Sequence, residues 1–209
     1  MLGIIRVLTT EDLTVLNEHG KQMEAFLGIK NETECISDQW NGIYDEKSEE
    51  QALPKIVSLA ENMINKNRYT ALTISCAADP ALEALQKDKK VPIIGAGSSG
   101  ANIAKSLGNK VGVLGITSEA PTSIQNILGN DLIYKNNKDI RKTTDLFQDD
   151  AKNKLYETTY QLINENVDVI LFACTGFSTI KLKDFLKKYT KKPIVDLIEA
   201  QSLIYKAIV

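Results

Sequence analysis

The sequence contains two half-copies of one pattern, and this repeat is the feature that most restricts its fold. In each half, an apolar run comes first, a later run ends in cysteine, and a run that contains Lys and Pro follows. The matching segments are Leu2-Gly3-Ile4-Ile5 with Val111-Gly112-Val113-Leu114, Thr73-Ile74-Ser75-Cys76 with Leu171-Phe172-Ala173-Cys174, and Lys90-Val91-Pro92-Ile93-Ile94 with Lys192-Pro193-Ile194-Val195. The spacing exceeds the period of roughly 20–50 residues that is typical of solenoids and propellers. It therefore predicts two similar lobes that arose by duplication.

Short apolar runs alternate along the chain with segments whose apolar residues recur at helical spacing. This alternation is typical of βα units and of parallel sheets. We predict strands at Gly3–Leu8, Thr33–Ser37, Thr70–Ser75, Val91–Ile94, Val111–Ile116, Asp131–Tyr134, Asp168–Ala173 and Pro193–Leu197. The expected fold class is α/β, with two pseudo-symmetric lobes, each a four-stranded parallel sheet flanked by helices, and with the active site in the cleft between them.

The repeat also divides the chain into domains. We place the first lobe at residues 1–94 and the second at 95–197, and we expect a last helix, 198–209, to pack back on the first lobe. A homo-oligomer is expected. The loop Asp38–Tyr44, which holds the only Trp, is expected either to wall the cleft or to form a dimer contact.

Composition excludes several classes of protein. The formal net charge is −2, which argues against a nucleic-acid or anionic-membrane partner. Three Cys and one His cannot build a common Cys/His zinc cage, so no metal is expected. The segment Met1–Arg6 lacks the features of a signal peptide, and no apolar run approaches the roughly 18 residues of a membrane span. We therefore expect a cytoplasmic protein with free thiols.

Cys76 and Cys174 hold equivalent places in the repeat, each at the carboxyl end of a predicted strand. Ligands of open α/β sheets bind outside those ends, so both thiols reach one cleft if the lobes face each other. Each thiol precedes a predicted helix start, where Asp79 is expected to cap the first helix and the helix dipole to lower the thiol pKa below about 8.5. Two thiols on opposite faces of one carbon can invert it by moving a proton, without a cofactor.

The carbanion formed in such a reaction needs donors of hydrogen bonds beside it. The candidates for substrate binding lie next to strand ends and are Thr9, Thr10, Ala77, Gly97, Ser98, Thr117, Ser118 and Thr175. Cys35 has no partner in the repeat and is expected in the core. His19 falls on the polar side of a helical stripe, so we expect it at the surface.

The motifs around the two cysteines resemble those of the Asp/Glu/hydantoin racemase superfamily over nearly the full length. They are Cys76-Ala77-Ala78-Asp79-Pro80-Ala81-Leu82, Pro92-Ile93-Ile94-Gly95-Ala96-Gly97 and Ala173-Cys174-Thr175-Gly176. The resemblance implies a cofactor-independent racemase that uses paired cysteines between two α/β lobes. Its substrate would be a small molecule with a carboxylate or an imide beside the reacting carbon. Relatives that hold a single cysteine decarboxylate instead.

The form Cys-x-x-Asp-Pro is closest to the hydantoin racemase branch of that superfamily. Ala77-Ala78 and Gly176 differ from the Cys-Asn-Thr and Cys-Thr-His motifs of glutamate racemases. Val7-Leu8-Thr9-Thr10 differs in turn from the Asn-Pro-Asn-Thr of hydantoin racemases. The motifs therefore leave the substrate open among a hydantoin, aspartate, glutamate and other carbon acids.

Two other functions fit parts of the sequence. Gly95-Ala96-Gly97-Ser98-Ser99-Gly100 satisfies G-x-G-x-x-G, which would bind NAD(P) in an oxidoreductase. Against this, the motif begins near mid-chain, and Pro92 would fall inside the strand before it. The glycines could instead let backbone N–H groups approach a substrate oxygen at a helix N-terminus. A non-catalytic sensor on the same scaffold is the third class, because fold does not fix function.

Overall fold

The computed structural model describes residues 1–88 and 91–209, so Lys90 of the repeat lies outside the described residues. Two four-stranded parallel sheets form the framework. Their strands are β1 (Leu2–Arg6), β2 (Asn31–Cys35), β3 (Ala71–Ser75), β4 (Ile93–Gly95), β5 (Val111–Gly115), β6 (Leu132–Asn136), β7 (Val169–Phe172) and β8 (Ile194–Val195). The orders are β2-β1-β3-β4 and β6-β5-β7-β8. The two lobes thus repeat one topology, which confirms the predicted fold class.

Each predicted strand overlaps one in the structure, with ends that differ by at most two residues. The two Lys-Pro runs show why some ends move. Pro92 and Pro193 lie just before the regular strands, which begin at Ile93 and Ile194. Proline has no N–H to donate to a ladder, but the carbonyls of both prolines still accept from the neighbouring strand, at Leu72 and Ile170.

Helices cover both faces of the sheets. They are α1 (Leu13–Leu27), α2 (Glu46–Asn65), α3 (Leu82–Asp88), α4 (Ala96–Leu107), α5 (Thr122–Leu128), α6 (Ala151–Asn164), α7 (Gly176–Thr179), α8 (Leu182–Leu186) and α9 (Leu197–Ile208), with short 3₁₀ helices at Gly129–Asp131 and Thr143–Phe147. In the described part of the chain, none of them combines the length and apolar character that a bilayer crossing needs.

The strand order places a topological switch point in each sheet. From β1 the chain passes to one side, to β2, and then crosses to the other side, to β3, so the connections diverge between β1 and β3. Ligands of such sheets bind outside the carboxyl ends at this point. Cys76 follows β3 directly, and Cys174 follows β7, which has the same place in the second sheet.

Two helices join the lobes. α4 packs against β3 and β4 of the first sheet and against β7 and β8 of the second, whereas α9 packs against β3 and β4 and against the helices α1 and α4. Ile198 and Tyr205 of α9 enter the core of the first lobe, whereas Leu197 and Ala200 enter that of the second. Because both helices are shared, the domain boundary between residues 94 and 95 and the assignment of 198–209 to the first lobe stay predictions.

Asp79 does not cap the helix that follows it, which corrects the expectation from the sequence. Its backbone is left-handed, with φ 54°, a conformation that Asp tolerates better than most residues. Its buried carboxylate accepts hydrogen bonds from the N–H groups of Gly97, at 2.8 Å, and Ser98, at 2.6 Å. Asp79 therefore caps α4, a helix about twenty residues away in the chain, because the loop after β3 lies against the start of that helix.

This cap predicts a measurable loss of stability. Asp79→Ala leaves two N–H groups without their acceptor, and we expect the free energy of unfolding to fall by about 1–3 kcal/mol. Asp12→Ala is the matched control, because Asp12 caps α1 in the same way at an exposed site and should cost about 1 kcal/mol. Urea unfolding measures both. Equal losses would contradict the role of burial at Asp79.

Candidate active site

A cavity of about 630 Å³ opens between the lobes, beyond the carboxyl ends of the central strands. The first lobe contributes residues after β1 and β3 and the start of α2. The second contributes the segment after β5 and the one after β7. Cys76 and Cys174 both line it, and each is 8% exposed. The structure thus brings the two thiols of the repeat to one cavity with access to solvent.

The other candidates from the sequence divide into two sets. Four line the cavity, namely Ala77, Thr117, Ser118 and Thr175, and four do not, namely Thr9, Thr10, Gly97 and Ser98. Thr9 is held in a loop, where its hydroxyl donates to the Ile36 carbonyl and accepts from the N–H of Gln39, both at 2.7 Å. The Thr10 hydroxyl accepts from the N–H of Asp12. These two threonines therefore shape the segment after β1 rather than the cavity wall.

The glycine run serves close packing. Gly97 and Gly100 lie inside α4, and a Cβ at Gly97 would collide with the carbonyl oxygen of Ala77. The N–H groups of Gly97 and Ser98, which a phosphate or a substrate oxygen would need, are bonded to the Asp79 carboxylate. An anion at this N-terminus would meet a negative charge, so the structure gives the run a different role from that of a dinucleotide fingerprint.

The two thiols are less acidic than the sequence suggested. Burial raises the pKa of Cys174 to about 11, although the N–H groups of Gly176 and Phe177 and the charge of Arg6 oppose the shift. Burial raises the pKa of Cys76 further still, and negative charge on Cys174, Asp79 and Glu49 adds to it. The expected lowering by a helix dipole was wrong. α7 has only four residues, and α3 begins six residues after Cys76, so neither dipole outweighs desolvation.

The cavity wall carries negative charge. Among its lining residues five are acidic, namely Asp45, Glu46, Glu49, Glu50 and Glu119, and within the described residues no Lys, Arg or His lines it. Burial and the neighbouring Glu46 raise the pKa of Glu49. No motif in the sequence predicted this acidic wall. A helix start is readable at Asp45 and Ser48, which cap α2, but the repeat gives no sign that α2 meets the cleft.

The position of His19 differs from the one expected from the sequence. It is fully buried rather than at the surface, and both ring nitrogens have a hydrogen-bond partner there. Nδ1 lies 2.7 Å from Ser75 Oγ and Nε2 lies 2.9 Å from Thr179 Oγ1. Burial and the charge of Arg6 lower the pKa of His19 well below its usual range, so the ring is neutral. Its flanking apolar stripe gave no signal of these partners. Cys35 is half-buried on β2 rather than in the core, and it does not line the cavity.

One end of the loop after β2 reaches the cavity. Ile43 and Tyr44 line the cavity, whereas Trp40 of the same loop is 53% exposed. The end of the loop therefore lines the cleft, which agrees with one of the two expectations for this loop.

Across residues 1–88 and 91–209, no three His, Cys, Asp or Glu side chains are placed to share a metal ion.

Solved structures share this two-lobed fold. Allantoin racemase from Pseudomonas fluorescens is 16% identical with a TM-score of 0.82, covering 99% of this chain and 89% of that one. Allantoin racemase from Klebsiella pneumoniae is 15% identical with a TM-score of 0.79, covering 99% and 86%. Glutamate racemase from Bacillus anthracis is 15% identical with a TM-score of 0.72, covering 100% and 80%.

Sequence comparison gives two further results. No curated protein matches the chain. The family model described as Asp/Glu/Hydantoin racemase matches residues 18–202, a span that includes both cysteines and every strand except β1. The chain therefore belongs to the Asp/Glu/Hydantoin racemase family.

Proposed function

We propose that this protein is a cofactor-independent racemase or epimerase in which Cys76 and Cys174 carry protons on opposite faces of one carbon. The observation that carries the proposal is that the two thiols hold equivalent places in the repeat and line one cavity. One cysteine, as thiolate, removes the proton from a carbon next to a carbonyl. The other, as thiol, donates its proton to the opposite face. Each turnover exchanges the protonation states of the two cysteines, and the reverse turnover restores them.

The carbanion intermediate needs hydrogen-bond donors at the carbonyl oxygen. Thr117 and Thr175 line the cavity, but their hydroxyls donate to the carbonyls of Glu119 and Ser75. We therefore expect the hydroxyl of Ser118, which is exposed on the wall, and backbone N–H groups near Ala77 to bind the oxygen. Burial of the thiols supports the same chemistry, because a desolvated thiolate is a stronger base than one in water.

The charge of the wall favours an uncharged substrate over an acidic one. A second carboxylate on the substrate, as in aspartate or glutamate, would lie against a wall with five acidic side chains. A hydantoin-like ring presents its imide and its reacting carbon without that charge. We therefore propose an amino-acid derivative with a neutral, hydantoin-like group as the substrate class, and an acidic amino acid as the alternative.

Neutralising one wall carboxylate should change this preference. With glutamate as substrate we expect Glu49→Gln to raise kcat/KM about tenfold, and with a neutral 5-substituted hydantoin to change it less than about twofold. Glu61→Gln is the control, because Glu61 is an exposed acid on the same helix outside the cavity. Steady-state rates by polarimetry measure both. An equal effect on the two substrates would contradict the proposed role of wall charge.

A screen in deuterated buffer tests the reaction itself. Amino acids and 5-substituted hydantoins are incubated with the enzyme, and the enantiomers are separated by chiral chromatography with mass detection. We expect inversion together with uptake of one deuterium at the reacting carbon. Binding of a candidate substrate without either change would favour a sensor, and tight binding of NAD(P) by calorimetry would favour an oxidoreductase.

Two expectations about the setting belong to the same proposal. Oxidation of either thiol would remove a proton carrier, so we expect the enzyme to work in the reducing cytoplasm. We also expect a homo-oligomer in solution, which light scattering after size-exclusion chromatography measures.

A further inference from the structure

His19 lies between the two segments that carry the cavity cysteines. It comes from α1, and its ring has a polar partner at each end. Ser75, the partner of Nδ1, is the last residue of β3 and directly precedes Cys76. Thr179, the partner of Nε2, ends α7, the short helix that begins two residues after Cys174. One buried ring therefore touches the segment next to each thiol.

A third hydrogen bond joins the same two segments directly. The hydroxyl of Thr175, the residue after Cys174, donates to the carbonyl of Ser75 at 3.1 Å. Ser75 is thus held from α1 by its side chain and from the second lobe by its backbone. His19 and Ser75 are buried and Thr179 is half-buried, so water is a poor substitute for the hydrogen bond between His19 and Ser75 in particular.

We propose that His19 is a positioning residue that fixes the separation of the Cys76 and Cys174 thiols by holding both segments at once. Its two ring nitrogens bond to hydroxyls and not to a thiol, and its neutral ring has one donor and one acceptor, which suits two hydroxyl partners. The inference deepens the proposed function, since a two-sided proton transfer needs both thiols near one carbon. Misplacement by about 1 Å can cost about 100-fold in rate.

Three variants separate the two ends of the bridge. His19→Phe keeps a ring and removes both hydrogen bonds. His19→Asn places an amide near the position of Nδ1 and can keep only the partner Ser75, whereas His19→Gln reaches towards Thr179. The matched control is Gln22→Leu. Gln22 lies one turn further along α1 and donates to the Ser178 carbonyl at 2.8 Å, so it also joins α1 to α7 but does not reach Ser75.

The separation of the thiols can be measured without any substrate. Dibromobimane, a bifunctional alkylating agent, bridges two thiols that lie far enough apart to hold a small molecule between them, because each sulfur displaces one bromide, and the product fluoresces only when both have reacted. The background is Cys35→Ser, which leaves Cys76 and Cys174 as the two cysteines of the chain. We expect the rate of bridging to fall about tenfold in His19→Phe and measurably in His19→Asn and His19→Gln, while Gln22→Leu bridges as the parent does.

Kinetics with the substrate found in the screen give the second measurement. We expect kcat to fall about 100-fold in His19→Phe with KM changed less than about threefold, because binding survives while the thiols are misplaced. Thermal unfolding identifies which variants are folded, and the Asn and Gln variants decide the question if His19→Phe is not. Bridging at the parent rate in folded His19 variants would overturn the inference. Normal bridging in the parent with no exchange of any substrate would contradict the proposed function alone.

Discussion

Replacing either cavity cysteine by serine is expected to lower the rate of racemisation by about 1000-fold, because serine is far too weakly acidic to exchange a proton at this site. The two variants should not behave alike. In Cys76→Ser the Cys174 thiol still reaches one face, so it exchanges the proton of one enantiomer without inversion. Cys174→Ser should exchange the proton of the other enantiomer. Each variant is assayed with each pure enantiomer in deuterated buffer.

The third cysteine provides the control for this experiment. Cys35 is half-buried on β2 and does not line the cavity, so Cys35→Ser should racemise at the parent rate. Loss of activity in Cys35→Ser, or full racemisation by Cys76→Ser or by Cys174→Ser, would contradict the assignment of the pair.

The second large effect concerns the reactivity of the thiols in the empty enzyme. A thiolate reacts with iodoacetamide and a thiol does not, and a raised pKa leaves less thiolate at a given pH. With a pKa of about 11, Cys174 should react at pH 8 roughly two orders of magnitude more slowly than a free thiol of pKa about 8.5. The rate should rise with pH up to about 11. Cys76, whose pKa is raised further, should react after Cys174.

Peptide mass spectrometry at several pH values resolves the two sites, with N-acetylcysteine in the same tube as the reference thiol. Fast alkylation of either cysteine near neutral pH would show that the helix ends, and not burial, control the thiols. The substrate should slow alkylation of both cysteines together, because it occupies the cavity that they share.

The repeat allowed the framework to be predicted because both sheets are built from local patterns. Apolar runs such as Val111–Gly115 form buried strands, and the two half-copies predicted that these strands divide between two similar sheets. The paired positions of Cys76 and Cys174 followed from the same repeat. A strand end is also where such sheets bind ligands, so the shared cavity could be expected before the lobes were seen together.

The remaining features depend on contacts between distant segments, which no local pattern encodes. Asp79 has the sequence of an ordinary helix cap, yet its carboxylate reaches the start of α4. His19 has polar neighbours on its helix, yet two hydroxyls from separate lobes bury it. The thiol pKa values were misjudged for a similar reason, since the dipole of a predicted helix is visible in a sequence but the depth of burial is not.

The position of deuterium after the first turnovers tests the central claim most directly. One pure enantiomer of a 5-substituted hydantoin, or of the substrate found in the screen, is incubated with the enzyme in deuterated buffer. The reaction is stopped before about one tenth of it has been converted, and both enantiomers are then separated. Two thiols on opposite faces predict that the newly formed enantiomer carries one deuterium while the recovered starting enantiomer carries almost none. Equal labelling of both from the start would mean that a single base serves both faces, and it would contradict the paired roles of Cys76 and Cys174.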